Sequence, residues 1–191
     1  MFPLAAAEAA SKILVFGDSL SAAYGIAEKH GWVALLSVRL AKERADYSVV
    51  NASISGETTS GGAARLGRAL EQHRPAVVIL ALGANDGLRG LPVAQMKQNL
   101  GAMTKAARDS GARVLVAGMR MPPNYGPDYA SAFDAAFAEV AKANRAALLP
   151  FLLEGMAHKP ELFLADRLHP AEAAQPILLD NVWKALRPLL K

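Results

Sequence analysis

The sequence predicts a doubly wound α/β sandwich built on a parallel sheet, and three observations carry that expectation. Short apolar runs alternate with longer segments of helical periodicity along nearly the whole chain. The runs are continuously apolar and rich in β-branched residues, so both of their faces are covered, as in a parallel sheet. Neither an internal repeat nor a low-complexity linker interrupts residues 12–190. One domain over residues 12–191, behind a short lead at 1–11, accounts for the length.

The elements run in this order. Ile13–Phe16 is the first strand, closed by Gly17. A helix comes next, with Trp32, Val33, Leu36 and Leu40 on one face and Ser37, Arg39 and Glu43 elsewhere. Tyr47–Asn51 is the second strand, and the polar loop after it leads to a helix. Val77–Leu80 and Val114–Val116 are the third and fourth strands. Met119–Tyr129, with Pro122, Pro123, Tyr125 and Pro127, is the longest stretch without a pattern. Phe133, Phe137 and Val140 then repeat at i, i+4 and i+7, and Ala147–Leu149 is a weaker fifth strand. Leu179, Val182, Trp183 and Leu186 mark a last helix, with Pro176 suited to its first turn. Right-handed crossovers place such helices on both faces of the sheet, and ligands bind at the carboxyl ends of its strands.

Composition excludes several classes of function. With 52% apolar and 20% charged residues, the 191-residue chain can bury a substantial core and is no disordered tail. It has no cysteine, which removes disulfides, thiolate metal sites and a cysteine nucleophile. Its four histidines, His30, His73, His158 and His169, lack metal-ligand spacing, so a catalytic metal is not expected. The net charge of +4 is scattered without a basic stripe, which speaks against nucleic acid. No apolar run approaches the roughly 20 residues of a membrane span, so no stable membrane insertion is expected. No apolar surface stripe argues for more than a monomer. Met1–Ala10 is rich in small residues and lacks a charged leading segment. It is either a short lead into the first strand or what remains around a cleaved secretory signal, and a periplasmic or secreted location is the expectation.

The loops at the carboxyl ends of the strands carry the chemistry. After the first strand comes Gly17-Asp18-Ser19-Leu20-Ser21, which presents a serine hydroxyl at the strand's edge or, equally well, caps a turn. It lacks the glycines and lysine of nucleotide-binding loops, and Ser21 stands where an α/β-hydrolase elbow needs glycine. After the second strand, the loop Asn51–Thr59 contains Gly56, whose N–H can approach a ligand closely, although an ordinary loop with a threonine cap would look the same. After the third, Gly83-Ala84-Asn85-Asp86-Gly87 carries an uncharged amide, and by itself it reads as a tight turn. Near the C-terminus, Asp166 precedes His169 by three residues, so its carboxylate can reach Nδ1 and leave Nε2 as a base. The other three histidines lack an acid at this spacing and read as surface or packing residues. Chance explains each of these four signals, and explains all four together poorly.

Over about residues 12–188 these blocks resemble those of the SGNH (GDSL) hydrolase family: Gly17-Asp18-Ser19-Leu20, Gly56, Gly83-Ala84-Asn85-Asp86 and Asp166-Arg167-Leu168-His169. Phe16–Gly25, Asn51–Thr58 and Leu82–Gly90 further resemble its bacterial periplasmic branch of thioesterase/lysophospholipases and arylesterases. Arg167 and Leu168 depart from it, standing where members commonly have glycine and a β-branched residue.

The resemblance implies a flavodoxin-like, three-layer α/β/α sandwich with five parallel strands, no cofactor, and hydrolysis of carboxylic esters or thioesters. It implies Ser19 as nucleophile, His169 as general base and Asp166 as the group orienting it. The Ser19 and Gly56 N–H groups and the Asn85 amide would then form the oxyanion hole. Asp18 and Asp86 read as supports of their turns. Leu88, Leu91, Pro122, Pro123 and Tyr125, with Arg89 beside them, stand where an apolar lip would take the acyl chain of a small-molecule ester or thioester. Two alternatives use the same residues differently. One is a carbohydrate or peptidoglycan O-acetyl esterase with a smaller, more polar acyl pocket. The other is a non-catalytic flavodoxin-like module in which Ser19 is only a cap.

Overall fold

The computed structural model describes residues 10–191. Of the expected N-terminal lead, residues 1–9 lie outside the described residues, and Ser11 already belongs to the first strand. Five parallel strands form one sheet in the order β2-β1-β3-β4-β5. They are β1 (Ser11–Gly17), β2 (Tyr47–Asn51), β3 (Val77–Ala81), β4 (Arg113–Ala117) and β5 (Ala147–Leu149). The registers Ile13↔Val77 and Ile13↔Val49 fix β1 between its two neighbours.

Alternate residues of each central strand supply opposite cores. Ile13, Val15, Val77, Ile79 and Leu115 pack against α1 (Trp32–Glu43) and α6 (Gln175–Leu186). Leu14, Phe16, Val78, Leu80 and Val116 pack against α2 (Thr59–His73), α4 (Val93–Asp109) and α5 (Pro127–Ala143). Because helices cover both faces, every residue of β3 is buried, and this is why the strands show no alternation in sequence. Trp32, Leu36 and Leu40 are buried on α1 as their spacing requires, and so are Leu179, Val182 and Leu186 on α6. Trp183 lies at the flank of that face, under the Arg39 guanidinium.

Two local expectations need correction. Gly83–Gly87 is not a turn but the start of a short helix, α3 (Ala84–Leu88). Gly83 enters it at φ 120°, a conformation that side chains avoid, so the Asn-Asp-Gly sequence is free to be helical. Met119–Tyr129 is also more ordered than its prolines indicated. A 3₁₀ turn forms at Pro123–Tyr125, and α5 starts at Pro127, where the missing N–H costs nothing.

Order 2-1-3-4-5 winds outward in both directions from the β1/β3 pair. The loops after these two strands therefore diverge to opposite sides and leave a crevice between them. Ser19 stands on the first of these connections and Asn85, in α3, on the second.

Candidate active site

Beyond Gly17 the backbone reverses around Asp18. Its carbonyl accepts from the N–H groups of Ser21 and Ala22, and its Oδ1 accepts from that of Leu20 at 3.0 Å. The Asp18 side chain is buried, and desolvation raises its carboxyl to about 7 despite these hydrogen bonds, with the charge of Asp86 adding to the rise. The tight turn presents the Ser19 hydroxyl at the sheet's carboxyl edge, and Ser19 is itself only 9% exposed.

The partner of Ser19 arrives from 150 residues away. His169 Nε2 lies 2.9 Å from Ser19 Oγ, and His169 Nδ1 lies 2.6 Å from Asp166 Oδ2. An ionised carboxylate can only accept, so Nδ1 carries the proton and Nε2 accepts from the hydroxyl. Asp166 Oδ1 also receives the N–H groups of Leu168 and His169 at 2.9 and 3.0 Å. These hydrogen bonds lower its carboxyl to about 2, which keeps it charged across the whole physiological range. The turn is closed by Leu164 N–H to His169 O and by the bridge between Phe163 and Pro170. Arg167 occupies φ 56°, a left-handed conformation that favours glycine.

The groups expected to bind an oxyanion stand on the loop after β2 and at the start of α3. The loop after β2 lies along the end of β1 through Ala52 N–H to Val15 O and Ile54 N–H to Gly17 O. Gly56 reverses it at φ 79°. Arg65, its guanidinium 3.8 Å over the Phe16 ring, holds the loop from beneath by donating to the Glu57 carboxylate and to Ala52 O. Asn85 Nδ2 donates one hydrogen to Glu57 O at 3.0 Å and keeps its second. Among the described residues, the N–H groups of Ser19 and Gly56 have no acceptor in the chain. Asp86 is buried and takes both the N–H and the hydroxyl of Thr59, so it ties α3 to the start of α2.

Two tyrosines tie the stretch after β4 to the end of α3. Tyr125 Oη donates to Leu88 O at 3.1 Å, and Tyr129 Oη donates to Leu91 O at 2.8 Å. Leu91 and Pro122 are exposed, whereas Leu88 and Tyr125 are half-buried. Sequence reasoning missed a second set of residues. Gln175, 2% exposed, accepts from Trp32 N–H and donates to Pro170 O and Ala171 O, next to His169. The Trp32 indole N–H donates to Leu20 O, next to Ser19. His30, which has no acid three residues before it, meets Glu172 at 2.8 Å. No periodicity or spacing could have joined partners more than 140 residues apart. Among the described residues no group of three or more His, Asp or Glu side chains is arranged to hold a metal ion.

Acyl transfer is the reaction that uses both features of these loops, a base on the hydroxyl and N–H donors without an acceptor in the chain. The fold and the crevice thus fit the class of hydrolases that work by acyl transfer. Within that class the chain belongs to the GDSL-like Lipase/Acylhydrolase family, whose profile matches residues 15–176. Esterase TesA of Pseudomonas aeruginosa is 54% identical over 182 residues, 95% of this chain and 90% of that protein. Thioesterase 1/protease 1/lysophospholipase L1 of Escherichia coli is 42% identical over 184 residues, 96% of this chain and 87% of that protein. A crystal structure of TesA superposes with a TM-score of 0.92 at 53% identity, covering 94% of this chain and 100% of that one.

Proposed function

We propose that this ester hydrolase also accepts thioesters and lysophospholipids, and works through an acyl-serine intermediate on Ser19. The observation that carries the reading is the line of hydrogen bonds from Asp166 through His169 to Ser19 Oγ, set opposite free donors. Neutral His169 takes the hydroxyl proton as Ser19 Oγ attacks the acyl carbon. The oxyanion then forms against Ser19 N–H, Gly56 N–H and the second Asn85 amide hydrogen. His169 passes its proton to the leaving oxygen or sulfur, and water, deprotonated by the same imidazole, releases the acid. Asp166, ionised down to about pH 2, stabilises the imidazolium formed in between.

Leu88, Leu91, Pro122 and Tyr125 form the acyl side in this reading. Each buried methylene contributes roughly 0.8 kcal/mol, so octanoyl esters should surpass acetyl esters several-fold or more in kcat/KM. A periplasmic site of action belongs to the same proposal, supported by the small-residue-rich Met1–Ala10 and by the resemblance to the periplasmic branch.

The test combines labelling with kinetics. A fluorophosphonate should add one mass shift, at Ser19. Ser19→Ala and His169→Ala should each abolish nearly all turnover, and the double variant should be hardly worse. Asn85→Ala should lower kcat by about 10²–10³ with little change in KM, because its free hydrogen is engaged only as charge develops. Turnover retained by folded Ser19→Ala would overturn the assignment, and a preference for acetyl esters would move the O-acetyl esterase reading ahead.

A further inference from the structure

The nucleophile turn carries an aromatic residue for which acyl transfer by Ser19 and His169 has no use. Tyr24 is 51% exposed, yet its ring centroid lies 4.4 Å from that of the His169 imidazole, with the planes tilted by 40°. Its own N–H donates to the carbonyl of Ser19 at 3.3 Å, so its backbone is fixed to the nucleophile. The residue before it, Ala23, stands at φ 57°, in the left-handed region that side chains with a Cβ avoid. Ala23 is buried, and the strain there is part of what returns the chain towards His169. Among the described residues the Tyr24 hydroxyl has no hydrogen-bond partner in the chain, so no polar contact explains the ring's place.

The direction of proton transfer gives that place a meaning. In acylation the Ser19 Oγ–acyl bond forms and the bond from the acyl carbon to the leaving atom breaks. The proton from Oγ reaches the leaving atom through His169 Nε2. The leaving atom must therefore approach Nε2, while the carbonyl oxygen faces Ser19 N–H, Gly56 and Asn85 on the other side. Whatever the leaving atom carries extends past the imidazole, and the aromatic face that adjoins the imidazole is that of Tyr24. An aromatic leaving group can stack there without desolvating any polar group.

We propose that Tyr24 is a specificity-determining residue that forms the leaving-group platform and selects flat, aromatic leaving groups over alkyl ones of equal acidity. The proposal rests on the acyl-serine reading and deepens it. Its contribution is that of one aromatic stack, roughly three- to tenfold in kcat/KM. It acts only up to acylation, because the leaving group has departed before water attacks.

The test holds the acyl group constant and varies the leaving group and residue 24. Phenyl butyrate and hexafluoroisopropyl butyrate have leaving groups of similar acidity, one flat and aromatic, the other not. With wild type the phenyl ester should be favoured. Tyr24→Ala and Tyr24→Leu should each lower kcat/KM for the phenyl ester about three- to tenfold and leave the fluoroalkyl ester within twofold. Tyr24→Phe should keep the wild-type ratio, since the ring and not the hydroxyl does the work. A ratio unchanged in both truncated variants overturns the proposal. An equal fall for both esters overturns it as well, and makes Tyr24 a positioning residue for His169. Failure of wild type to hydrolyse either ester would instead count against the acyl-serine reading.

Discussion

Asp18 and Asp166 stand on loops that meet at Ser19, yet their carboxyls are driven in opposite directions. Asp166 is exposed and receives three hydrogen bonds, which draw it down to about 2, while burial lifts Asp18 to about 7. The second shift has a consequence for stability. Between the ordinary aspartate value of 3.8 and about 7, the folded chain keeps a proton on Asp18 that the unfolded chain has released. The folded state binds more protons in that window, so this residue lowers stability progressively as pH rises through it, and the loss persists above it. Asp18→Asn keeps an oxygen for Leu20 N–H but cannot ionise. Its melting temperature, followed from pH 4 to 8, should decline less than that of wild type, and parallel curves would refute the argument. Asp166 acts with the other sign. Its stabilisation is complete above 3.8 and is lost as pH falls towards 2.

At the scale of elements, the site is a meeting of loops held by the start of two helices. The first residue of α1, Trp32, bonds Leu20 O through its indole and Gln175 through its backbone N–H. Gln175, the first residue of α6, passes the connection on to Pro170 O and Ala171 O. The β1 loop with Ser19 and the 164–169 turn with His169 are thereby tied to one buried junction. Gln175→Met fills the same space but leaves the Trp32 N–H and the Pro170 carbonyl unpaired, at a cost of about 1–3 kcal/mol for each buried group. In the folded variant kcat should fall tenfold or more with KM nearly unchanged, because the Ser19–His169 distance loosens while the acyl side is untouched. Steady-state kinetics beside a thermal melt would check this, and an unaltered kcat would dismiss the junction as a determinant of that distance. The turn itself carries strain at Arg167, where φ 56° favours glycine.

For the whole molecule, the sheet is the rigid body and the chemistry lies at its rim. β3 is buried along its length between β1 and β4, whereas Asp166, Arg167 and Leu168 are exposed. In hydrogen exchange the amides of Val77–Ala81 should open only with global unfolding, and those of residues 164–168 far sooner. Equal protection of the two segments would contradict this division. Such an arrangement suits an esterase, since loops can yield while the edge that sets Ser19 and Asn85 stays fixed.

The five strands were legible in the sequence because burial on both faces leaves continuous apolar runs such as Val77–Leu80, and no partner is needed to see them. Ser19 and the Asp166/His169 pair were legible for a related reason. A glycine-bounded turn and an acid three residues from a histidine are each local patterns, ambiguous singly and telling only in conjunction with Gly56 and Asn85. The short helix α3 was not, since Asn85-Asp86-Gly87 favours a turn until Asp86 binds Thr59, 27 residues away. Nor were Gln175 and Tyr24, an unremarkable amide and a surface aromatic by any local measure. Their partners, Trp32 and His169, lie more than 140 residues away in sequence. The sequence by itself determined the layers of the fold and singled out the residues proposed to carry the chemistry. Only the tertiary structure decided what surrounds the imidazole, because hydrogen bonds and ring contacts of that range exist only once the sheet has brought its carboxyl edge together.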